Sequence, residues 1–333
     1  MFGMRRREFI TLLGGAAAAW PLAASAQQPG QMPRIGVLTG FENDPEGTAQ
    51  LSGFTQGFQE LGWTDGRNVR MDVRWPAGSV ERMRMLAKEL VGMQPDVILA
   101  QTTPVVAALQ RETRTIPIVF VTVADPVGQG FVESLSRPGG NITGFIFTEG
   151  AIGGKWLELL TEIAPSVKRA AIMFNPDTAP GGGSYFLSSF EAAARSLKVE
   201  PITAPVHNDA EIETAITSLG REPGGGLVVI ADIFLLVHRA PIILGAARNN
   251  LPAIYQVRAF ARDGGLLSYG ADAVDIFRRS ASYVDRILRG AKPADLPVQV
   301  PIKFEMTLNA KTAKSLGLTT PPSLLLRADE VIE

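Results

Sequence analysis

Residues able to do chemistry gather where short apolar runs stop. The run Ile118 to Val123 is β-branched and ends on Ala124, Asp125 and Pro126, with Gly128 and Gly130 just beyond. Such a run reads as a strand buried on both faces, and in an open α/β sheet ligands bind beyond the carboxyl ends of the strands. Four further exits carry polar groups: Phe41-Glu42-Asn43 within Gly40 to Asp44, Thr102-Thr103, Asn175 to Asp177, and Asp232 to Phe234. Thr103-Pro104 opens a helix, so free backbone N–H groups and two hydroxyls there suit a carboxylate. Asp125 and Asp232 are placed to meet an ammonium, one from each half of the chain. The plainer alternative for either aspartate is capping of its own turn or helix, and for Thr102 and Thr103 plain N-capping. Phe41, Phe234, Tyr255 and Tyr269 are candidate apolar walls, although aromatic side chains more often fill cores.

Catalytic sets are poor. There is no cysteine, which excludes disulfides, thiol catalysis and Cys-based metal sites. The two histidines, His207 and His238, are far apart, and neither lies at a strand exit beside a serine. There is no G-x-S-x-G elbow and no phosphate-binding G-x-x-x-x-G-K-[ST] loop. The Gly128-Gln129-Gly130 pair lacks the third glycine of a dinucleotide loop. Gly181 to Gly183 could cradle an anion but reads better as a loose surface loop. No cofactor and no metal are implied. A formal net charge of −1 over 333 residues gives no basic face for nucleic acid.

The elements that must position these residues follow from periodicity. Strands are expected at 34–39, 68–75, 96–100, 117–123, 145–147, 169–174, 200–204, 226–231, 252–255, 266–269 and 299–304. Helices are expected at 48–61, 80–93, from 103, 156–163, 185–197, 209–219, 238–249, 275–288 and 310–316, and Phe260 reads as opening a loop. The alternation argues for parallel sheets covered by helices, in two series split near residue 148. The expected fold class is α/β, with two doubly wound parallel-sheet lobes joined by crossover hinge strands. Lobe I takes 33–147 plus about 271–298, and lobe II 148–270 plus about 299–333.

The N-terminus is the most legible stretch. Arg5-Arg6-Arg7 precede an apolar segment from Leu12 to Ala24, and Ala24-Ser25-Ala26 fits a small-residue cleavage pattern. Arg6-Arg7-Glu8-Phe9-Ile10 resembles a twin-arginine signal. The segment falls short of the ~20 residues of a membrane span. The expectation is export to the periplasm with cleavage after Ala26.

The export signal, the run VTVADPVGQGFVESLSRPGGNITGF, the strand LLSYG and the passage LPVQVPIKFEMTLNAKTAKSLGL together resemble ABC transporter substrate-binding proteins, in the family of tryptophan- and tyrosine-type binding lipoproteins. The likeness covers about residues 33 to 326. Its most specific parts are D-P-V-G-x-G ahead of P-G-G-N-x-T-G, and the C-terminal N-x-x-x-A-x-x-L-G-L. It implies a type I periplasmic binding protein with two α/β lobes, three crossover strands and ligand in the cleft. It also implies capture of a small solute for an inner-membrane ABC permease. Phe41, Thr102, Thr103, Asp125 and Asp232 fall on the cleft in that comparison. The lipid-bearing cysteine of those relatives is absent, so a soluble periplasmic form is expected. The expected ligand is a small carboxylate-bearing compound, an amino acid or an aromatic or organic acid, bound by a monomer. A ligand-sensing subunit of a signalling system, or less readily an exported enzyme, are the alternatives.

Overall fold

The computed structural model describes residues 32–333. The export and cleavage signals expected at residues 1–26 lie outside the described residues. No described helix is long and apolar enough to cross a membrane.

Two sheets organise the chain. The first has β1 (Arg34–Leu38), β2 (Arg70–Arg74), β3 (Val97–Gln101), β4 (Ile118–Ala124) and β5 (Ile142–Thr148), in the order β2-β1-β3-β4-β5 and parallel throughout. The second has β6 (Arg169–Phe174), β7 (Glu200–Pro205), β8 (Gly225–Val229), β9 (Ala253–Tyr255), β10 (Leu267–Ala271), β11 (Phe304–Asn309) and β12 (Glu330–Ile332). Their order is β12-β11-β10-β9-β8-β6-β7, and only the β10–β11 pair is antiparallel. The inner strands β3 and β8 are buried along their whole length, which is why they read as continuous apolar runs. Helices cover both sheets, as parallel strands require.

In each sheet the order reverses once, at β1 between β2 and β3, and at β6 between β7 and β8. Ligand crevices open at such reversals. The exits of β1 and β3 carry Phe41 and Thr102. Those of β6 and β8 carry Asn175 and Asp232.

Helix α1 (Pro45–Glu60) follows β1, and α10 (Ala273–Leu288), late in the chain, packs along it. Contact is close because Gly57 faces the Arg278 carbonyl, and a Cβ there would lie 2.6 Å from that oxygen. The indole of Trp63 ties the pair by donating to Asp285 (2.8 Å). Ile276, Phe277, Ala281 and Val284 of α10 share a core with Ile35, Val97 and Val121 of the first sheet. The chain therefore leaves the first sheet after β5, returns to it after β10, and leaves again at 299–304.

Two expected elements differ. Residues 299–304 make no strand: Gln299 forms one isolated bridge with Phe145, and the ladder starts only at Phe304. Pro297 and Pro301 lack the N–H a ladder needs. The loop expected at Phe260 is the helix α9 (Arg258–Arg262). Helix α12 (Pro322–Arg327) and β12 had no periodic signal, being too short to show one.

At the edge strand β2, Asp72 accepts from Arg34 Nε at 2.6 Å, and Arg70 stands 3.5 Å away. The hydrogen bond from Arg34 holds the Asp72 carboxyl below its usual range. A depressed folded pKa gives stability that is full above the unfolded value of about 3.9 and is lost as pH falls through the folded value. Asp72→Asn should therefore flatten the melting temperature against pH below about pH 4, while leaving the slope at neutral pH unchanged. Thermal melts across that range check it.

Candidate functional site

The exits of the two sheets face each other across a cleft with about 800 Å³ of space, the open mouth included. From the first lobe it is lined by Phe41, Glu46, Gln50, Thr102, Thr103, Pro104, Thr122, Ala124, Phe147 and Thr148. From the second come Thr178, Pro180, Ala231, Asp232, Ile233, Leu236, Val257, Arg258 and Glu305. Ala271 and Ala273 lie where the chain crosses back.

Thr102 precedes helix α3 (Thr103–Glu112) but does not cap it. Its φ is +77°, it makes no side-chain capping bond, and its hydroxyl is buried without a partner. The first-turn N–H groups of α3 have no intrahelical acceptor, and Pro104 has no N–H at all. Thr122 behaves alike: φ is +52°, its hydroxyl is buried and unpartnered, and β4 loses register with β5 on either side of Val123. Positive φ in a β-branched residue is an outlier costing on the order of 1–3 kcal/mol, and such strain gathers at binding sites. Two strained threonines thus hold idle hydroxyls at one cleft.

Opposite them sits Asp232, 5 % exposed. Its Oδ2 accepts from the Asn175 N–H (2.9 Å), and its Oδ1 accepts from the Thr178 hydroxyl (2.6 Å) and the Phe234 N–H (2.7 Å). Burial pushes its carboxyl up from the ordinary range, against the pull of these donors. Asp232 therefore N-caps α7 (Ile233–Val237) and ties the β6 exit to the β8 exit. That geometry aims Ile233 and Leu236 at the cleft, and Ile233 packs among Leu38, Val105 and Phe120 of the first lobe. The lobes are closed on each other here: a Cβ on Gly78 of the first lobe would lie 2.6 Å from Val237 Cγ2.

Of the residues singled out in the sequence, Phe41, Thr102, Thr103, Ala124 and Asp232 come together on the cleft. Glu42 lines a neighbouring groove with Asp44 and Arg239. Asn43 is exposed and accepts from the Thr48 hydroxyl (3.1 Å). Asp125, at φ +49°, accepts from the N–H of Gly128 (2.9 Å), so its carboxylate closes its own turn. Pro126 is buried beneath that turn, its carbonyl accepting from the Phe131 N–H (2.9 Å). Asn175 stands behind Asp232, its Oδ1 accepting from the Asp177 N–H (2.8 Å). Phe234 stacks on His238 (4.1 Å), and Tyr269 on Phe304 (5.8 Å). Neither lines the cleft.

Glu46, Gln50, Thr122, Arg258 and Glu305 also line the cleft and were not singled out. Glu46 reads as an ordinary first-turn acid of α1, and Thr122 as the interior of a buried strand. No local pattern in the sequence shows that Arg258 and Glu305 meet Glu46 across the two lobes. Gln50 reads as a solvated position, yet it is 4 % exposed and accepts from Gln101 (2.6 Å), which in turn accepts from the Gly40 N–H (3.3 Å). Among the described residues no group of His, Asp and Glu could hold a metal ion.

Residues 34–332 match the family model described as ABC transporter substrate binding protein. A tyrosine-binding protein of Clostridioides difficile (strain R20291) is 26 % identical over 268 residues, 80 % of this chain and 76 % of that protein. The crystal structure of an ABC domain from Streptococcus pneumoniae in complex with L-Trp is 26 % identical, with a TM-score of 0.83 over 91 % of this chain and 100 % of that one. A ligand-free, open substrate-binding protein with adhesive properties from Clostridium difficile is 24 % identical, with a TM-score of 0.68 over 90 % of this chain and 99 % of that one. With the family model spanning both lobes and the cleft between them, this chain belongs to the ABC transporter substrate-binding protein family.

Proposed function

We propose that this protein captures a small zwitterionic amino acid with an apolar, aromatic side chain and presents it to an ABC permease of the inner membrane after export to the periplasm. The observation that carries the ligand class is the pair of buried, unpartnered hydroxyls of Thr102 and Thr122. They stand beside a helix N-terminus whose first N–H groups lack intrahelical acceptors. Unpartnered donors at a helix N-terminus match a carboxylate. Glu46 and Glu305 share the one guanidinium of Arg258, which leaves a formal negative charge for an ammonium, while Asp232 is taken up by the Asn175, Thr178 and Phe234 donors. Phe41, Phe147, Ile233, Leu236 and Val257 supply apolar walls. The relatives that bind tyrosine and tryptophan support the aromatic side chain. Among the described residues the cleft lining holds no Ser, Cys, His or Lys. Its one hydroxyl–carboxylate pair, Thr178 with Asp232, ties the β6 exit to the β8 exit, which supports a reading of binding that favours the closed over the open state. A monomer suffices, because both lobes belong to one chain.

A thermal-shift screen of residues 27–333 against amino acids, aromatic acids, sugars and nucleosides tests the ligand class. At about 100-fold its dissociation constant a ligand adds about 2.7 kcal/mol of stability. L-Trp or L-Tyr should give the largest shift, and a sugar or nucleoside as sole hit would overturn the reading. Thr102→Val sharpens it. Removing an unpartnered buried hydroxyl should leave the ligand-free protein as stable or about 1 kcal/mol more so. The same change should weaken amino-acid binding about tenfold to a hundredfold, the scale of a hydrogen bond to a charged group. Calorimetry reads the second effect, and an affinity equal to wild type would remove Thr102 from the site.

A further inference from the structure

One set of charges spans the two lobes at the cleft wall. Arg258 opens α9 of the second lobe, and its guanidinium reaches Glu305 Oε2 on β11, in the same lobe, at 3.1 Å. Its other nitrogens reach Glu46 on α1, in the first lobe, at 3.2 Å and 3.5 Å. All three side chains line the cleft, and their exposures of 16 %, 19 % and 19 % mark them as largely withdrawn from water. Nearby, Lys303 of the returning hinge segment pairs with Asp272 at the N-cap of α10 (2.6 Å).

The two halves of this set differ in what lobe motion does to them. The Arg258–Glu305 pair lies within one lobe and survives any rigid movement of it. The Arg258–Glu46 pair joins α1 to α9 and exists only while the lobes are closed. We propose that Arg258 is the positioning residue that couples closure to ligand occupancy. Glu305 keeps the guanidinium extended and aimed across the cleft while the lobes are apart, so little side-chain freedom is lost when Glu46 arrives. Closure then withdraws the pair from water, which strengthens it relative to an exposed pair. One guanidinium between two carboxylates leaves a formal negative charge on the wall. On the ligand reading above, a ligand ammonium completes the balance, so the closed state is favoured most when the ligand is in place. Closure of the empty protein is, by contrast, independent of that reading.

The test uses the mature protein with one fluorophore on each lobe, read as single-molecule energy transfer without ligand and then with L-Trp. Glu46→Gln and Arg258→Gln should each lower the ligand-free closed fraction. Each should also raise the ligand dissociation rate about tenfold, the scale of a partly buried charge-assisted hydrogen bond, with the association rate within about threefold of wild type. The double variant should be no worse than either single one, as expected for two ends of one contact. Glu305→Gln keeps the interlobe pair but loosens its aim, and should have a smaller effect of the same sign. Effects of Glu46→Gln and Arg258→Gln that simply add, or an unchanged ligand-free closed fraction in both, would overturn the proposal. If L-Trp and every other amino acid fail to bind while the ligand-free distributions shift as stated, Arg258 stands as the residue that holds the empty lobes closed, and its coupling to a ligand ammonium falls together with the ligand class.

Discussion

Asp232→Ala should lower the stability of the protein by about 3 kcal/mol or more and abolish measurable ligand binding. The carboxylate is the common acceptor for the Asn175 N–H, the Thr178 hydroxyl and the Phe234 N–H, at 2.9, 2.6 and 2.7 Å. Alanine leaves three donors in a region that is 5 % exposed at this residue. Each buried donor without an acceptor costs about 1–3 kcal/mol, and helix α7 also loses its N-cap. The binding loss has a separate route. Thr178, Ile233 and Leu236 line the cleft and keep their places only while the β6 and β8 exits are tied together. Asp232→Asn separates the two routes. It keeps one acceptor oxygen but turns the other into a donor facing a donor, so about 1–2 kcal/mol of stability and a partial loss of affinity are expected. Denaturant titration gives the stability and calorimetry the affinity. An alanine variant as stable as wild type would mean that water replaces all three bonds.

The second large effect is expected at Trp156 in helix α4 (Ile152–Ile163). Its side chain is fully buried, its ring packs against Phe186 at 5.2 Å between centroids, and its Nε1 donates to the Tyr269 carbonyl at 2.9 Å. Trp156→Ala should cost about 3–5 kcal/mol, the range for emptying a large aromatic site. Trp156→Phe keeps most of the packing but orphans the Tyr269 carbonyl, and should cost about 1–3 kcal/mol. Tyr269 lies in β10, two residues before the chain crosses to the first lobe at Ala271, so the phenylalanine variant should also change the rate of lobe closure. Equal stabilities of the two variants would show that the indole hydrogen bond, and not the ring volume, holds this corner.

What could be read from the sequence follows the range over which each signal acts. The strand Arg169–Phe174 and the start of the helix at Asp209 were legible to the residue, because a continuous apolar run and a helical period are local properties. The positions Thr102, Thr103, Phe41, Ala124 and Asp232 were legible as strand exits, since a parallel sheet sends its loops to one edge. The spending of each carboxylate was not legible. Asp125 and Asp232 look alike in sequence, each following an apolar strand. One closes its own turn on Gly128, and the other binds donors from Asn175 and Thr178, over fifty residues away. The strained conformation of Thr122 depends on the register shift between β4 and β5, which no run of residue types encodes. Arg258 and Glu46 are 212 residues apart, so their meeting is a property of the two folded lobes.

The path of the chain between the sheets sets the order in which the molecule can be completed. The first sheet is finished at Thr148, yet the helix that closes one of its faces, Ala273–Leu288, comes 125 residues later. The second sheet gains its last two strands only at Phe304–Asn309 and Glu330–Ile332. A chain emerging from its N-terminus therefore holds both cores open until nearly all of it is available. Contacts of such long sequence separation carry a high loop-closure cost before they return any stability, which makes for slow folding. Truncation near residue 290 would leave the second sheet without its antiparallel edge, and truncation near 270 would uncover both cores. The two sheets, each completed by residues far along the chain, are therefore built together and not one after the other.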